Sequence, residues 1–242
     1  MTPYYQDNRI TIFHGDCREL LPEILRARDG VPFDLCMTDP PYGINYSRGF
    51  SEGAKLGRNT LSPTKFAGDA SRCAGDERPF DPWHMVASLA NEEERGQEPE
   101  TAEEFVLWGA NNYARALPFD SGGWFIWDKR CNISSNDGSD AELAWTTLTN
   151  SARIFYHVWD GFRRDTQKDK PRIHPMEKPV ALWSWCLRFA PGASEIIDPY
   201  CGSGSSLRAA KNAGLSAVGI DIEERWCAAA AEEARQEAFT FA

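Results

Sequence analysis

Metal chemistry finds little to use in this sequence. Its seven cysteines form no CxxC pair, and its four histidines form no HExxH or other ligand spacing. Cys17, Cys36, Cys73, Cys131, Cys186, Cys201 and Cys227 are odd in number and lie singly in apolar or helical stretches. Small buried cysteines of a reducing compartment are distributed in this way. No metal site and no disulfide framework are expected. No apolar run approaches about 18 residues, and the N-terminal MTPYYQDNRI lacks the basic-then-apolar pattern of an export signal. The expectation is a soluble, cytoplasmic protein with no membrane partner. Internal repeats are absent as well. With 42% hydrophobic and 26% charged residues, the composition also excludes a disordered, collagen-like or coiled-coil chain.

Positive charge is scarce overall: 26 Lys and Arg face 36 Asp and Glu, for a formal net charge of −10. The distribution matters more than the sum. Residues 73–104 carry ten acids, among them Glu92, Glu93 and Glu94, against two bases; residues 221–237 carry six acids against two bases. The rest of the chain is therefore slightly basic, and a nucleic-acid partner stays open.

What is present is an alternation of strand-like and helix-like segments. Arg9–His14 and Phe33–Thr38 are short apolar runs of strand type. Between them, Leu20, Leu21, Ile24 and Leu25 recur at helical spacing over Cys17–Arg28, with Gly30 as the stop. Residues 43–104 then lose all period and are rich in Gly, Ser, Pro and charge, the mark of a long insertion. Strands are expected at Phe105–Trp108, Gly123–Trp127 and Arg153–Trp159, with a helix around Asp140–Leu148. Val180–Phe189 is expected to be helical, followed by a strand Glu195–Ile197, a helix Ser205–Asn212 closed by Gly214, a strand Ser216–Ile220 and a helix Glu223–Glu237. Such alternation implies one α/β domain over residues 1–242: a doubly wound, mostly parallel sheet with helices on both faces.

Two loops concentrate chemistry. Asp198-Pro199-Tyr200-Cys201-Gly202-Ser203-Gly204 lies between a strand and a helix, where glycines allow close backbone approach and the helix offers free N–H groups. The next strand ends at Asp221, whose carboxylate can accept both hydroxyls of a ribose. A glycine-rich turn without a ligand is the alternative. A dinucleotide dehydrogenase is a further rival, but it needs a second nucleotide-binding half after Asp221, where one helical stretch follows. The second loop is Asp39-Pro40-Pro41-Tyr42. Its prolines hold a carboxylate, a free carbonyl and an aromatic ring close together, a set suited to a planar ring bearing an amine.

DPPY, the later DPYCGSG and His174-Pro175-Met176-Glu177-Lys178-Pro179 together resemble the amino-DNA methyltransferases, in the order of their permuted β class. The resemblance spans most of the chain outside residues 44–104. It implies a Rossmann-like class I methyltransferase fold and S-adenosyl-L-methionine (AdoMet) as methyl donor. The methionine part of AdoMet would lie against Asp198 and the Tyr200–Gly204 backbone, with Cys201, Gly202 and Ser203 in the turn, and Asp221 would take the ribose. Asp16 matches the family's acidic residue for the adenine of AdoMet, although capping of the helix at Cys17 accounts for it equally. Lys178 would lie near the cofactor carboxylate. Met176 stands where the family usually has Thr, and Tyr200 where it has Phe.

The resemblance also implies the reaction. An exocyclic amine is a weak nucleophile because its lone pair is delocalised into the ring. Hydrogen bonds to Asp39 and the Pro40 carbonyl would favour a pyramidal nitrogen and stabilise its developing positive charge. A base within a duplex must first be flipped out. Asp, where the cytosine-N4 enzymes usually have Ser, favours adenine N6. Cytosine N4, an RNA base or a protein amide are the enzyme alternatives, and a nucleic-acid-binding regulator on the same fold is the non-enzyme one.

DNA contacts are expected from basic residues near the site. Lys129 and Arg130 end a strand, and Arg163 and Arg164 begin a stretch, residues 162–178, with six bases against three acids. Each could also be a solvated face. Only 14 residues separate Trp159 from His174, too few for an independent recognition domain. Residues 44–72, with Arg48, Lys55 and Arg58 among five bases against two acids, are the candidate recognition segment. The oligomeric state, a homodimer included, and any partner endonuclease of a restriction-modification pair are left open.

Overall fold

The computed structural model describes residues 1–42, 101–117, 123–131, 139–159, 164–166 and 176–236. Arg48, Lys55, Arg58, Arg163, His174 and nearly all of the irregular insertion lie outside the described residues.

The described strands form one nine-stranded sheet in the order β1-β2-β9-β8-β3-β4-β6-β5-β7. They are β1 (Tyr5–Gln6), β2 (Ile10–His14), β3 (Phe33–Thr38), β4 (Ala102–Trp108), β5 (Trp124–Asp128), β6 (Ala141–Thr146), β7 (Ala152–Tyr156), β8 (Glu195–Asp198) and β9 (Ser216–Asp221). The five adjacent strands β2, β9, β8, β3 and β4 all run parallel. Only β1 and the reversed strand β6 break that direction. The helices are α1 (Cys17–Ala27), α2 (Val180–Leu187), α3 (Ser205–Asn212) and α4 (Glu224–Arg235).

Both faces of the sheet are covered, because successive side chains of a strand point to opposite sides. On β4, Val106 and Trp108 join the core beneath α2, α3 and α4, while Phe105 and Leu107 join the core beneath α1. Helix α1 carries the chain from β2 to β3 across one face, and α3 links β8 to β9 across the other. From the adjacent pair β3 and β8 the chain continues to opposite sides of the sheet, β3 to β4 and β8 to β9. In open α/β sheets ligands bind at such a switch point, outside the carboxyl ends of the strands.

Two sequence expectations need correction. Residues 141–146 are not helical but form β6, which pairs antiparallel with both β4 and β5. Ala, Glu and Leu favour a helix locally, yet the cross-strand partners decide: Ala144 packs into one core and Trp145 into the other. Ala102–Glu104, read with the irregular insertion, open β4, because Ala102 and Glu104 pair with Phe33 and Leu35 of β3.

Candidate active site

Four acidic residues stand at the carboxyl edge because four parallel strands end there. Asp39 follows β3, Asp198 ends β8, Asp221 ends β9 and Asp16 follows β2. Neighbouring strands bring the two sequence motifs into contact: the Thr38 hydroxyl donates to Asp198 Oδ1 at 2.6 Å. The hydroxyl of Ser206, the second residue of α3, donates to Asp198 Oδ2, and the Tyr200 N–H donates to Oδ1 at 3.1 Å. Asp198 is 2% exposed. Burial pushes its carboxyl up to about 6, only partly countered by the hydrogen bonds from Ser206, Thr38 and Tyr200.

The glycine loop folds back on the end of β9. Cys201 N–H donates to the Ile220 carbonyl at 2.9 Å, and Gly202 N–H donates to Asp221 Oδ2 at 3.0 Å. Asp221 Oδ1 accepts from the Glu223 N–H at 2.8 Å. Burial pushes Asp221 up to about 6 despite the Glu223 and Gly202 bonds. Gly204 adopts φ 85°, and a Cβ there would stand 2.9 Å from Ala230 of α4. Only glycine lets the loop turn into α3 while α4 packs against it. The resulting tight loop, with buried Asp198 and half-buried Asp221 beside it, fits a nucleoside carrying a cationic amino-acid tail.

Asp16 caps α1: its Oδ1 accepts the Arg18 N–H at 2.9 Å and the Arg18 Nε at 3.0 Å. The capping alternative is thus realised, and the carboxylate stays at the same edge as Asp221.

Around Asp39 the structure assembles more than the sequence suggested. Tyr42 Oη donates to Asp39 Oδ1, and the Lys178 ammonium lies 2.5 Å from Asp39 Oδ2. Lys178 is only 4% exposed, so it is no surface charge. Its other partners are Tyr42 Oη at 3.1 Å and Glu142 Oε2 at 3.0 Å. Glu142 Oε1 in turn accepts from Lys129 Nζ at 2.9 Å. Lys178 therefore serves the DPPY side of the site, and a cofactor carboxylate would have to compete with two acids for it.

Charge compensation sets the protonation of this cluster. Burial pushes Asp39 up, opposed by the Lys178 charge beside it. Burial would also raise Glu142, but Lys178 and Lys129 override it and hold the carboxyl at about 2. Lys178 is raised above its ordinary value because Asp39 and Glu142 outweigh its own desolvation.

Four contributors escaped the sequence. Glu142 was hidden by the helical reading of β6. Thr38 and Ser206 flank the two motifs, directly before DPPY and just after GSG, and that adjacency was the available signal. Gly109 follows β4 at φ 72°, and a Cβ on it would lie 1.9 Å from Tyr42 Cε1, so the Tyr42 ring packs flush on its backbone. Lys129 and Arg130, expected near phosphates, are engaged internally: Lys129 with Glu142, and Arg130 Nε with Asp140 Oδ1 at 3.1 Å. The Arg164 guanidinium lies 4.9 Å from the Trp159 ring centre. Among the described residues, no group of three or more His, Cys, Asp or Glu could hold a metal ion, and no helix is long and apolar enough to cross a membrane.

A parallel α/β sheet with DPPY and a glycine loop at its switch point defines a class I methyltransferase fold. Residues 80–232 match the model of the N6_N4_Mtase family, described as DNA methylase. The chain belongs to this family of AdoMet-dependent amino-DNA methyltransferases. Two solved structures share the fold. The M1.HpyAVI–SAM complex is 19% identical with a TM-score of 0.52, the match covering 92% of this chain and 98% of that one. The PvuII DNA methyltransferase, described as cytosine-N4-specific, is 14% identical with a TM-score of 0.56, covering 98% of this chain and 90% of that one.

Proposed function

We propose that this DNA methyltransferase acts on the exocyclic N6 amine of adenine in DNA, flipped out of the duplex. The observation that carries the reading is the largely buried carboxylate of Asp39, paired with the Lys178 ammonium at the first position of DPPY. A carboxylate offers about four lone-pair sites. Tyr42 and Lys178 take one each on opposite oxygens, so two remain for the two hydrogens of a target amine or for one hydrogen and the proton it releases.

AdoMet, when bound, supplies an electrophilic methyl on a sulfonium, and the cradle of Asp198, Asp221 and the Tyr200–Gly204 backbone is assigned to hold it. The chain's own work is then orientation and charge. Pro40 and Pro41 fix the backbone so that the Pro40 carbonyl can share the amine with Asp39. The Tyr42 ring, seated on Gly109, offers a face on which the flipped base stacks. Positive charge developing on the amine nitrogen is stabilised by ionised Asp39, a preorganised group in a water-poor corner. Asp16 is assigned to the adenine of AdoMet, as the acidic residue that follows β2 at the same edge as Asp221.

The chain is proposed to be one catalytic domain, with the insertion that precedes β4, residues 44–101, as the DNA-recognition segment. Arg48, Lys55 and Arg58 in its basic half are assigned to phosphates, together with Arg163 and Arg164. Expression in a host free of DNA methylation, followed by nucleoside chromatography of its DNA, tests the base. N6-methyldeoxyadenosine is the expected product. N4-methyldeoxycytidine alone would overturn the adenine assignment, and no methylated base would overturn the DNA substrate.

A further inference from the structure

We infer that Glu142 is a positioning residue for methyl transfer: it divides the Lys178 ammonium between two carboxylates, so that the ion-pair cluster beside a reacting amine carries no net charge and Asp39 keeps lone pairs for that amine. The inference rests on the proposal that Asp39 receives that amine.

An ammonium has three hydrogens to donate. Those of Lys178 face Asp39 Oδ2 at 2.5 Å, Glu142 Oε2 at 3.0 Å and Tyr42 Oη at 3.1 Å. The cluster continues to Lys129, 2.9 Å from Glu142 Oε1, so signs alternate along Asp39, Lys178, Glu142 and Lys129 and sum to zero. Without Glu142 the same groups would sum to +1. Lys178 would then be committed to Asp39 alone, and a net cation would stand beside the nitrogen on which positive charge develops. Such a field opposes methyl transfer. Lys129 has the complementary task of holding Glu142 ionised and in place.

The other titratable groups that face Asp39 are Tyr42, Tyr113 and Asp198. None of them replaces Glu142, because the two tyrosines are held neutral by burial and Asp198 is tied to Thr38, Ser206 and Tyr200. Geometry explains why the acid sits on β6. That strand runs against both its neighbours β4 and β5, so its beginning rather than its end reaches the carboxyl edge of the sheet.

The test compares Glu142→Gln and Glu142→Asp with the wild-type full chain. Glutamine keeps the volume and a hydrogen bond but removes the charge. Methylation of duplex DNA with labelled AdoMet, followed against pH, should show kcat reduced about tenfold in E142Q, the size expected for a residue coupled to the reacting group through one neighbour. KM for AdoMet should stay unchanged. Glu142 pushes Asp39 upward, so in E142Q the acid limb of kcat should move to lower pH, and Glu142→Asp should recover most of the rate. Carboxyl carbon NMR of Asp39 gives the same answer without turnover: its titration should fall in E142Q. Wild-type kcat with an unmoved Asp39 titration overturns the inference. So does a loss of rate that merely follows a loss of melting temperature while that titration stays in place. A wild-type protein that methylates no base would refute the proposed function, and the Asp39 titration would still decide this point.

Discussion

Gly109→Ala is the sharpest single perturbation of the site, because it removes nothing and adds one methyl. Gly109 holds φ at 72°, where an alanine costs about 1–2 kcal/mol. The added Cβ would lie 1.9, 2.3 and 2.4 Å from Cε1, Cζ and Cδ1 of Tyr42. Carbon atoms separate to about 3.5–4.0 Å, so the ring must retreat by roughly 1.5–2 Å. That retreat carries Tyr42 Oη away from Asp39 and from Lys178, now 3.1 Å distant. Misplacement of about 1 Å at a reacting centre can cost ~10²-fold in rate. We expect kcat to fall by about that factor while AdoMet affinity, assigned to the glycine loop on the neighbouring strand, is unchanged in calorimetry. Strain and repacking together should destabilise by about 2–3 kcal/mol, or roughly 5–10 °C in Tm for a chain of this size. Methylation at the wild-type rate by a folded G109A protein would refute the role given to the Tyr42 ring.

Three further outcomes follow from the same geometry. Asp39→Ala should retain AdoMet binding and lose turnover by ~10²-fold or more, as removal of a preorganised charge does; a single-turnover rate within tenfold of wild type would contradict it. Lys178→Met leaves the partly buried Asp39 and Glu142 beside each other without their shared cation, so denaturant unfolding at neutral pH should show a loss of up to about 3 kcal/mol. The deficit should shrink below pH 5 as the two acids take up protons, and a deficit constant with pH would exclude the pairing. Asp198 and Asp221 titrate at about 6 in the folded chain, raised from 3.8. Their protonated forms thus favour folding below about pH 4, a contribution lost as pH rises through 6. AdoMet is assigned to their ionised forms, so its affinity should weaken about tenfold per group between pH 7.5 and 5, and an affinity flat over that range would sink the assignment.

Local sequence carried the frame of the site because its parts are local devices. A strand-terminal Asp before two prolines, and glycines between a strand and a helix, act within a few residues of themselves. DPPY and DPYCGSG were therefore legible, as were the boundaries of β3 and α3. What escaped depends on partners distant in the chain. Gly109 is needed only because the Tyr42 ring lies on it, and nothing beside Gly109 in sequence announces that ring. Residues 141–146 have a composition acceptable to a helix, and they become a strand because β4 and β5 both present open edges to them.

That misreading mattered more than its length suggests, since it concealed the acid of the ion-pair cluster. In a sheet of parallel strands, only residues that end strands reach the catalytic edge, so a search for site residues looks after each apolar run. A reversed strand inverts the rule, and residues that begin it arrive there instead. Glu142, second in β6 and paired in register with Trp127, meets Lys129 just past the end of β5 for this reason. The reversal also explains why Lys129 and Arg130 turn inward. Each has an acid delivered to it from the start of β6 or the residue before, Glu142 for Lys129 and Asp140 for Arg130. Cations at this edge were expected to meet phosphate. Lys129 instead completes the ion-pair cluster through Glu142, and Arg130 pairs with Asp140.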